Sequence, residues 1–484
     1  MTPPAGLACT RSADPGRSDP GVAIRSVTMA SPGPQTDFLE PPTGAKKIRS
    51  IGPGLVAAAT GVGAGDLVAT MVAGASFGTV LLWAAVVGTL VKLALGEAVG
   101  RWHLASGATM LDGWRRLGRW ATVFFGVYIV VWGFVYGATA MSAVGLPLNA
   151  LFDGLSVRWW GTIAGLAGLV LVWFQRYALF EKIMTVLVAV MFVSVIGIAV
   201  LVGPDLGALA SGLVPRLPEG STVYVLGLIG GVGGTITMSS YGYWLYAKGW
   251  KGPRWLSMMR LDNAVGYVLT GLFVIAMLVI GATILLGTEI TESDRGLLVL
   301  GDRLGELYGE GVRILFLIGF LSASVTSLLG VWNGVSLLFT DWTRAIRLPH
   351  GKAAAIGTAA DGPTVVVPGE DPAGDDERGA GPGRPGAYEA AAAERSWAFR
   401  GYLLWLTIPP MALLFLDRPF ALTLVYGVLG SFFMPFLAVT LLLLLNTKLV
   451  PKEGRNGWLS DGVLGISSVL FLILLITDVQ SRLF

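Results

Sequence analysis

Hydrophobic residues gather along this chain in runs of about 20, the length that carries an α-helix across a bilayer, and polar residues are confined to the gaps between the runs. Runs near 51–78, 79–100, 120–143, 158–176, 182–203, 223–247, 263–287, 312–340, 399–417, 419–446 and 460–479 predict an all-α polytopic membrane protein of about 11 transmembrane helices. Two of the runs are broken at the same depth. The first carries Thr60-Gly61-Val62-Gly63-Ala64-Gly65-Asp66 at its centre, where a continuous helix should avoid repeated glycine and a carboxylate. The sixth carries Gly230-Gly231-Val232-Gly233-Gly234, followed by Thr235, Thr237, Met238, Ser239 and Ser240. Backbone released from a helix in lipid must find partners in protein, water or a bound ion. Broken spans in corresponding halves therefore predict a transporter's binding site near the bilayer midplane.

The basic residues give the spans an orientation, because lysine and arginine collect in cytoplasmic loops. Lys46, Lys47 and Arg49 precede the first span, Arg101, Arg115, Arg116 and Arg119 follow the second, and Lys248, Lys251, Arg254 and Arg260 follow the sixth. Arg344 and Arg347 follow the eighth, whereas the loop after the seventh is acidic, with Glu289, Glu292 and Asp294. This places the N-terminus inside the cytoplasmic membrane and the C-terminus outside. The first broken helix then enters from inside and the sixth from outside, so spans 1–5 and 6–10 form an inverted 5+5 repeat with one extra helix. Residues 1–45 read as a disordered cytoplasmic leader, 46–350 as helices 1–8, 351–394 as an acidic Pro/Gly-rich cytoplasmic linker and 395–484 as helices 9–11.

Composition narrows the function classes. With 54% hydrophobic and 13% charged residues and a mean hydropathy of +0.69, the bulk of the chain is not a soluble domain. The single cysteine, Cys9, excludes an intramolecular disulfide or a thiolate metal cluster within one chain. The two histidines, His103 and His350, fall where loops are expected, which argues against a histidine relay inside the membrane. No nucleophile or phosphate-loop constellation is present, and a glycine run without a following Lys-Ser/Thr is weak evidence for phosphate binding. Neither an enzyme, a cofactor nor a nucleic-acid partner is expected. The expected partners are the lipid bilayer and a small ion or small-molecule substrate.

Several motifs resemble the Nramp divalent-metal transporters. They are Gly52-Pro53-Gly54 opening the first span, Val72-Ala73-Gly74-Ala75-Ser76-Phe77-Gly78 closing it, Leu81-Leu82-Trp83 beginning the second, Ala105-Ser106-Gly107 after it, the Gly-x-x-x-Met stretch from Gly234 to Met238, and Pro435-Phe436 in the tenth. The resemblance implies a LeuT-like fold of the APC superfamily, and transport of manganese, iron or related ions inward with protons. Its site residues carry over unevenly. The family's Asp-Pro-Gly-Asn becomes Gly63, Ala64, Gly65 and Asp66, so the leading carboxylate is lost and an acid stands at the amide's place. The family's Met-Pro-His becomes Met238-Ser239-Ser240, and Thr235 matches the position whose carbonyl joins the metal. Span three has no acid between Phe124 and Ala143, and Gly427 falls where many members have glutamine.

Asp66 is the leading candidate ligand, since a mid-span carboxylate should face the bundle interior with a partner. It can also cap the outer half-helix by accepting from freed amides. Met238 suits a soft transition metal or packs as core. Thr60, Gly63, Thr235, Ser239 and Ser240 supply hydroxyls and unwound carbonyls, although helical serines and threonines also bond to their own backbone. Glu97 and Arg101, four apart, read as an ion pair or a gate. Asp262, Asn263 and Asn333 are expected at the inner vestibule. Lys92 either snorkels toward the cytoplasm or faces the cavity, where it would repel a divalent cation. Trp159, Trp160, Tyr243 and Trp244 are expected as interfacial anchors. The chemistry points to a carrier of divalent cations, with Asp66 and Met238 as metal ligands and a proton or sodium as coupling ion. A carrier of an organic solute or hard cation on the same fold, and a non-transporting sensor, stay open.

Overall fold

The computed structural model describes residues 40–152, 154–174, 177–230, 233–287, 295–347, 393–415, 419–448 and 450–483. Every regular element among them is helical. After a short helix α1 (Lys46–Ser50), the first predicted span is two helices, α2 (Pro53–Thr60) and α3 (Ala64–Phe77), separated at Gly61–Gly63. Pro53 begins α2 at the first helical position, where its missing N–H costs nothing. A 3₁₀ turn at Gly78–Leu81, with Gly78 at φ 61°, leads into α4 (Leu82–Ser106). There follow α5 (Met110–Leu117), α6 (Arg119–Leu151), α7 (Val157–Phe174), α8 (Tyr177–Leu201) and α9 (Leu206–Gly212). The sixth predicted span is again split, into α10 (Thr222–Gly230), a 3₁₀ segment Ile236–Ser240, and α11 (Tyr241–Ala247). The remainder is α12 (Leu256–Ile284), α13 (Arg295–Tyr308), α14 (Glu310–Arg347), α15 (Trp397–Leu414), α16 (Pro419–Leu445) and α17 (Trp458–Leu483).

Each expected span thus has its helix or broken helix. Among the described residues, seven helical stretches are long and apolar enough to cross a bilayer, the first of them running through the turn at Gly78. The halves of the broken spans are individually too short. The hydrophobic pattern missed the short helices α1 and α9 and the amphipathic α5 and α13; in the last two, charged residues mask a helical period. Thr109 and Asp112 form a reciprocal capping box at the start of α5.

Two large apolar clusters flank the level of the breaks. One contains Trp102, Trp114, Trp244 and Trp332 together with Ala59, Ile236 and Met238. The other contains Leu67, Met71, Met277 and Phe316 together with Val62. The chain passes from the first cluster to the second between Ala59 and Val62, so the breaks lie at the boundary between the two cores. Helix α12 packs along both halves of the first broken span. Gly54 and Gly266 meet there backbone to backbone, a spacing that small residues permit in membrane helix pairs.

Candidate functional site

The two breaks meet. A methyl group on Gly61 would collide with the carbonyl of Gly233, and one on Gly234 would fall 3.0 Å from the Gly61 Cα. Gly233 and Gly234 adopt φ of 86° and 90°, a left-handed path that ends the helical ladder and is cheap only for glycine. The repeated glycines of the sequence therefore do two things: they release the backbone, and they let the released segments touch.

On the first break, the Thr60 hydroxyl donates back to the Val56 carbonyl at 2.6 Å, so it serves its own helix. The Thr60 carbonyl, released by the break, accepts from the Ser327 hydroxyl of α14 at 2.9 Å. Ser327 is also hydrogen-bonded to Tyr136 of α6 at 2.6 Å, and the Tyr136 ring stacks on Trp132 at 4.5 Å. Sequence reasoning missed Ser327 and Tyr136; the run Ser322, Ser324, Thr326, Ser327 in an apolar span was the available signal. The Gly63 carbonyl accepts from Leu67, beginning the ladder of α3. Asp66 lies in the first turn of that helix, and its side chain is outside the described residues.

On the second break, the hydroxyls of Thr235, Thr237, Ser239 and Ser240 are all buried and find no hydrogen-bond partner among the described residues. Buried polar groups are nearly always satisfied, and these hydroxyls follow one another along a single short segment. Such a set is what a desolvated polar or cationic ligand would occupy. Met238, 1% exposed, sits among them at the edge of the larger apolar core. Among the described residues, no three His, Cys, Asp or Glu side chains cluster closely enough to hold a metal. Carbonyl, hydroxyl and thioether donors are what these residues offer.

Lys92 does not snorkel. It is 1% exposed, and its ammonium donates to the Gly234 carbonyl at 2.6 Å. The break in α10–α11 holds the ammonium more favourably than a climb toward the interface, because it provides a carbonyl with no helical donor.

Toward the end of the bundle where α2 begins, the expected vestibule residues are tied down. The Asp262 carboxylate, fully buried, accepts from the Gly52 and Gly54 amides at 2.8 and 2.6 Å and from the Tyr241 hydroxyl at 2.9 Å. It therefore caps α2 and joins it to α11 and α12, rather than lining an open space. Asn263 donates to the Leu93 carbonyl. Glu97 pairs with Arg101 at 3.0 Å and with Arg260 at 2.9 Å. Arg101 also reaches the carbonyls of Gly454 and Arg455 and the Ser460 hydroxyl, so the pair fastens α4 to the segment ahead of α17. Lys248 pairs with Glu181.

Three expectations are corrected here. His103 lies in the last turn of α4, not in a loop, and is fully buried between the rings of Tyr243 and Tyr246. His350 falls outside the described residues. Trp244 and Tyr243 are not interfacial anchors: Trp244 is fully buried and donates to Asn333 at 2.9 Å, and Tyr243 donates to Asp341 at 2.5 Å. Asn333 faces Glu394 as well, donating to it at 3.2 Å. Burial pushes the Glu394 carboxyl above the usual carboxylate range.

A sequence profile described as natural resistance-associated macrophage protein-like matches residues 54–372. The divalent metal cation transporter MntH of Mycobacterium tuberculosis is 24% identical over 341 residues, covering 66% of this chain and 77% of that protein. The divalent metal cation transporter MntH of Deinococcus radiodurans is 26% identical over 305 residues, covering 59% of this chain and 67% of its own length. Among solved structures, the Eremococcus coleocola manganese transporter, in complex with an aromatic bis-isothiourea substituted compound, superposes with a TM-score of 0.67 at 15% identity, covering 92% of this chain and 90% of that one. At that identity the likeness is one of fold.

Proposed function

We propose, on the premise that this chain belongs to the Nramp family, that it is a secondary active transporter carrying divalent metal cations across the cytoplasmic membrane by alternating access. The observation that carries the reading is the contact of Gly61 with Gly233 and Gly234, which brings the released backbone of the two breaks together next to a segment of buried hydroxyls. The cargo is held there by the Thr235 carbonyl, the Met238 thioether and the Asp66 carboxylate, with Ser239 and Ser240 hydroxyls completing an oxygen-rich shell. Relocation of the acid from position 63 to position 66 keeps one negative charge in the turn of helix that follows the first break.

The packing supports alternating access. Half-helices α2 and α11 share the Asp262 clamp and move as one body, while α4 is fastened to the α17 side by Arg101. Glu97 bridges these two groups through Arg101 and Arg260, and release of cargo to the cytoplasm requires that bridge to part. The driving ion is a proton. No acid lies in α6, so its carrier must be sought elsewhere. Asp66 is the candidate, since one carboxylate can hold a proton or a metal but not both.

The hydroxyl-rich break extends the cargo toward hard divalent cations, because oxygen donors suit magnesium as well as manganese. The test is manganese flux into proteoliposomes, with magnesium as competitor, for wild type, Asp66→Asn and Met238→Ala, with and without a pH gradient. Uptake weakened by both substitutions and driven by the gradient supports the reading. Folded wild-type protein that carries neither metal overturns it. Magnesium competing as well as manganese, with Met238→Ala silent, assigns the oxygen donors the main role.

A further inference from the structure

The break between α10 and α11 already contains a cation, and it belongs to the protein. We propose that Lys92 is a tethered ion: its ammonium permanently fills a monovalent-cation position beside the cargo site, so that transport needs no small monovalent cation there.

The surroundings of the ammonium are those of a bound ion. The Gly234 carbonyl lies 2.6 Å from Nζ, the Met434 thioether of α16 lies 3.5 Å away, and the Phe471 ring of α17 is centred 5.8 Å away. A carbonyl, a polarizable sulfur and a π-face are three groups that attract a desolvated cation. They come from three elements outside α4, and Lys92 is 1% exposed, so the charge is enclosed by the bundle. The lysine stem also runs against the break, with its Cγ 3.5 Å from where a Gly233 methyl would stand. Length and attachment point together deliver the charge to a carbonyl in the break.

That carbonyl is one residue from Thr235, so the tethered charge and the cargo share the same break. A built-in cation stabilises the released backbone in every step of the cycle without being gained or lost. It also adds a fixed positive charge at the Gly234 carbonyl. The expected consequence is a preference for cargo that binds away from Gly234.

The experiment substitutes Lys92→Ala, which opens a cavity, and Lys92→Met, which fills the space without charge. Thermal melting of purified protein is followed with methylammonium chloride, with tetramethylammonium chloride as the control too large for the cavity. Lys92→Ala should melt lower than wild type and be raised saturably by methylammonium, whereas wild type and Lys92→Met should not respond. In proteoliposomes, metal flux by Lys92→Ala should fall by about tenfold, the scale of losing one charge-assisted hydrogen bond, and return with the same concentration of methylammonium. A Lys92→Ala protein that shows no saturable response overturns the proposal. If that variant does not fold, Lys92→Met decides: unchanged flux overturns the proposal, and lost flux at an intact melting temperature supports it. The melting arm is independent of the cargo, so failure of the metal-transport reading leaves it standing, and failure of rescue in a manganese-carrying protein removes only the tether.

Discussion

Gly61 has no room for a side chain, because its Cα faces the Gly233 carbonyl across the contact between the breaks. Gly61→Ala must push the broken helices apart, and overpacking of this kind typically costs about 1–3 kcal/mol. The expected outcome is a protein that still inserts but has a lower melting temperature and no metal flux, since the shift falls on the site itself. Retention of full flux would show that the breaks do not need to touch. Asp262 makes a contrasting case, because it acts on stability through three hydrogen bonds to a buried carboxylate. Asp262→Ala leaves the Gly52 and Gly54 amides without their acceptor, while the Tyr241 hydroxyl keeps only the Met259 carbonyl. Hydrogen bonds to charged groups are worth about 1.5–3 kcal/mol each, so a large loss of melting temperature is expected. Asp262→Asn should recover part of it, since one amide oxygen can still accept. A polar pair at the start of span seven was legible in the sequence, but the partner amides lie 208 and 210 residues away, and nothing in a linear pattern joins them.

At the scale of elements, the breaks were legible because glycine and a carboxylate have no ordinary place in a lipid-spanning helix. Lys92 and His103 were not, for a common physical reason. The sequence reads Lys92, well inside its span, as snorkelling or as facing the cavity, and His103 as lying in a loop; it cannot reveal which element offers either a partner. For Lys92 that is the Gly234 carbonyl, and for His103 it is a slot between two tyrosines against Gly242. The same holds for the segment ahead of α15. Composition placed Glu394 in a solvated linker, yet it is half-buried and accepts from Asn333, which also holds Trp244 of α11. Burial raises the Glu394 carboxyl above its ordinary value of 4.5. The docked segment therefore binds more protons than the undocked one, and docking weakens as pH rises from about 4 through the raised value, then levels off. Amide hydrogen exchange over residues 393–400 should accelerate across that window beyond its intrinsic pH dependence. Glu394→Gln should remove the excess. An unchanged profile in Glu394→Gln would mean that the carboxyl does not govern docking.

For the whole molecule, an odd number of crossings puts the two termini on opposite sides of the membrane. Inverted halves require the broken spans to enter from opposite sides, and an orientation with the basic loops inside would put the first entry in the cytoplasm. Arg101, Arg260 and Lys248 lie at one end of the bundle and are paired to Glu97 and Glu181. Positive charge at that end is therefore partly neutralised by structure, and the orientation rests on the remaining basic residues, such as Lys46, Lys47, Arg49 and Lys251. The sole cysteine, Cys9, lies ahead of the first span and makes the test direct. In intact cells a membrane-impermeant maleimide should leave Cys9 unlabelled and should label it once the membrane is opened. In a Cys9→Ser background, Ser481→Cys beyond the last span should be labelled in intact cells. Labelling of both cysteines from the same side would require an even number of crossings, and the last helix could not then be a single addition to a 5+5 repeat. Reversal of the pattern would keep the repeat but turn the Glu97–Arg101–Arg260 cluster outward, making it a latch against entry rather than release.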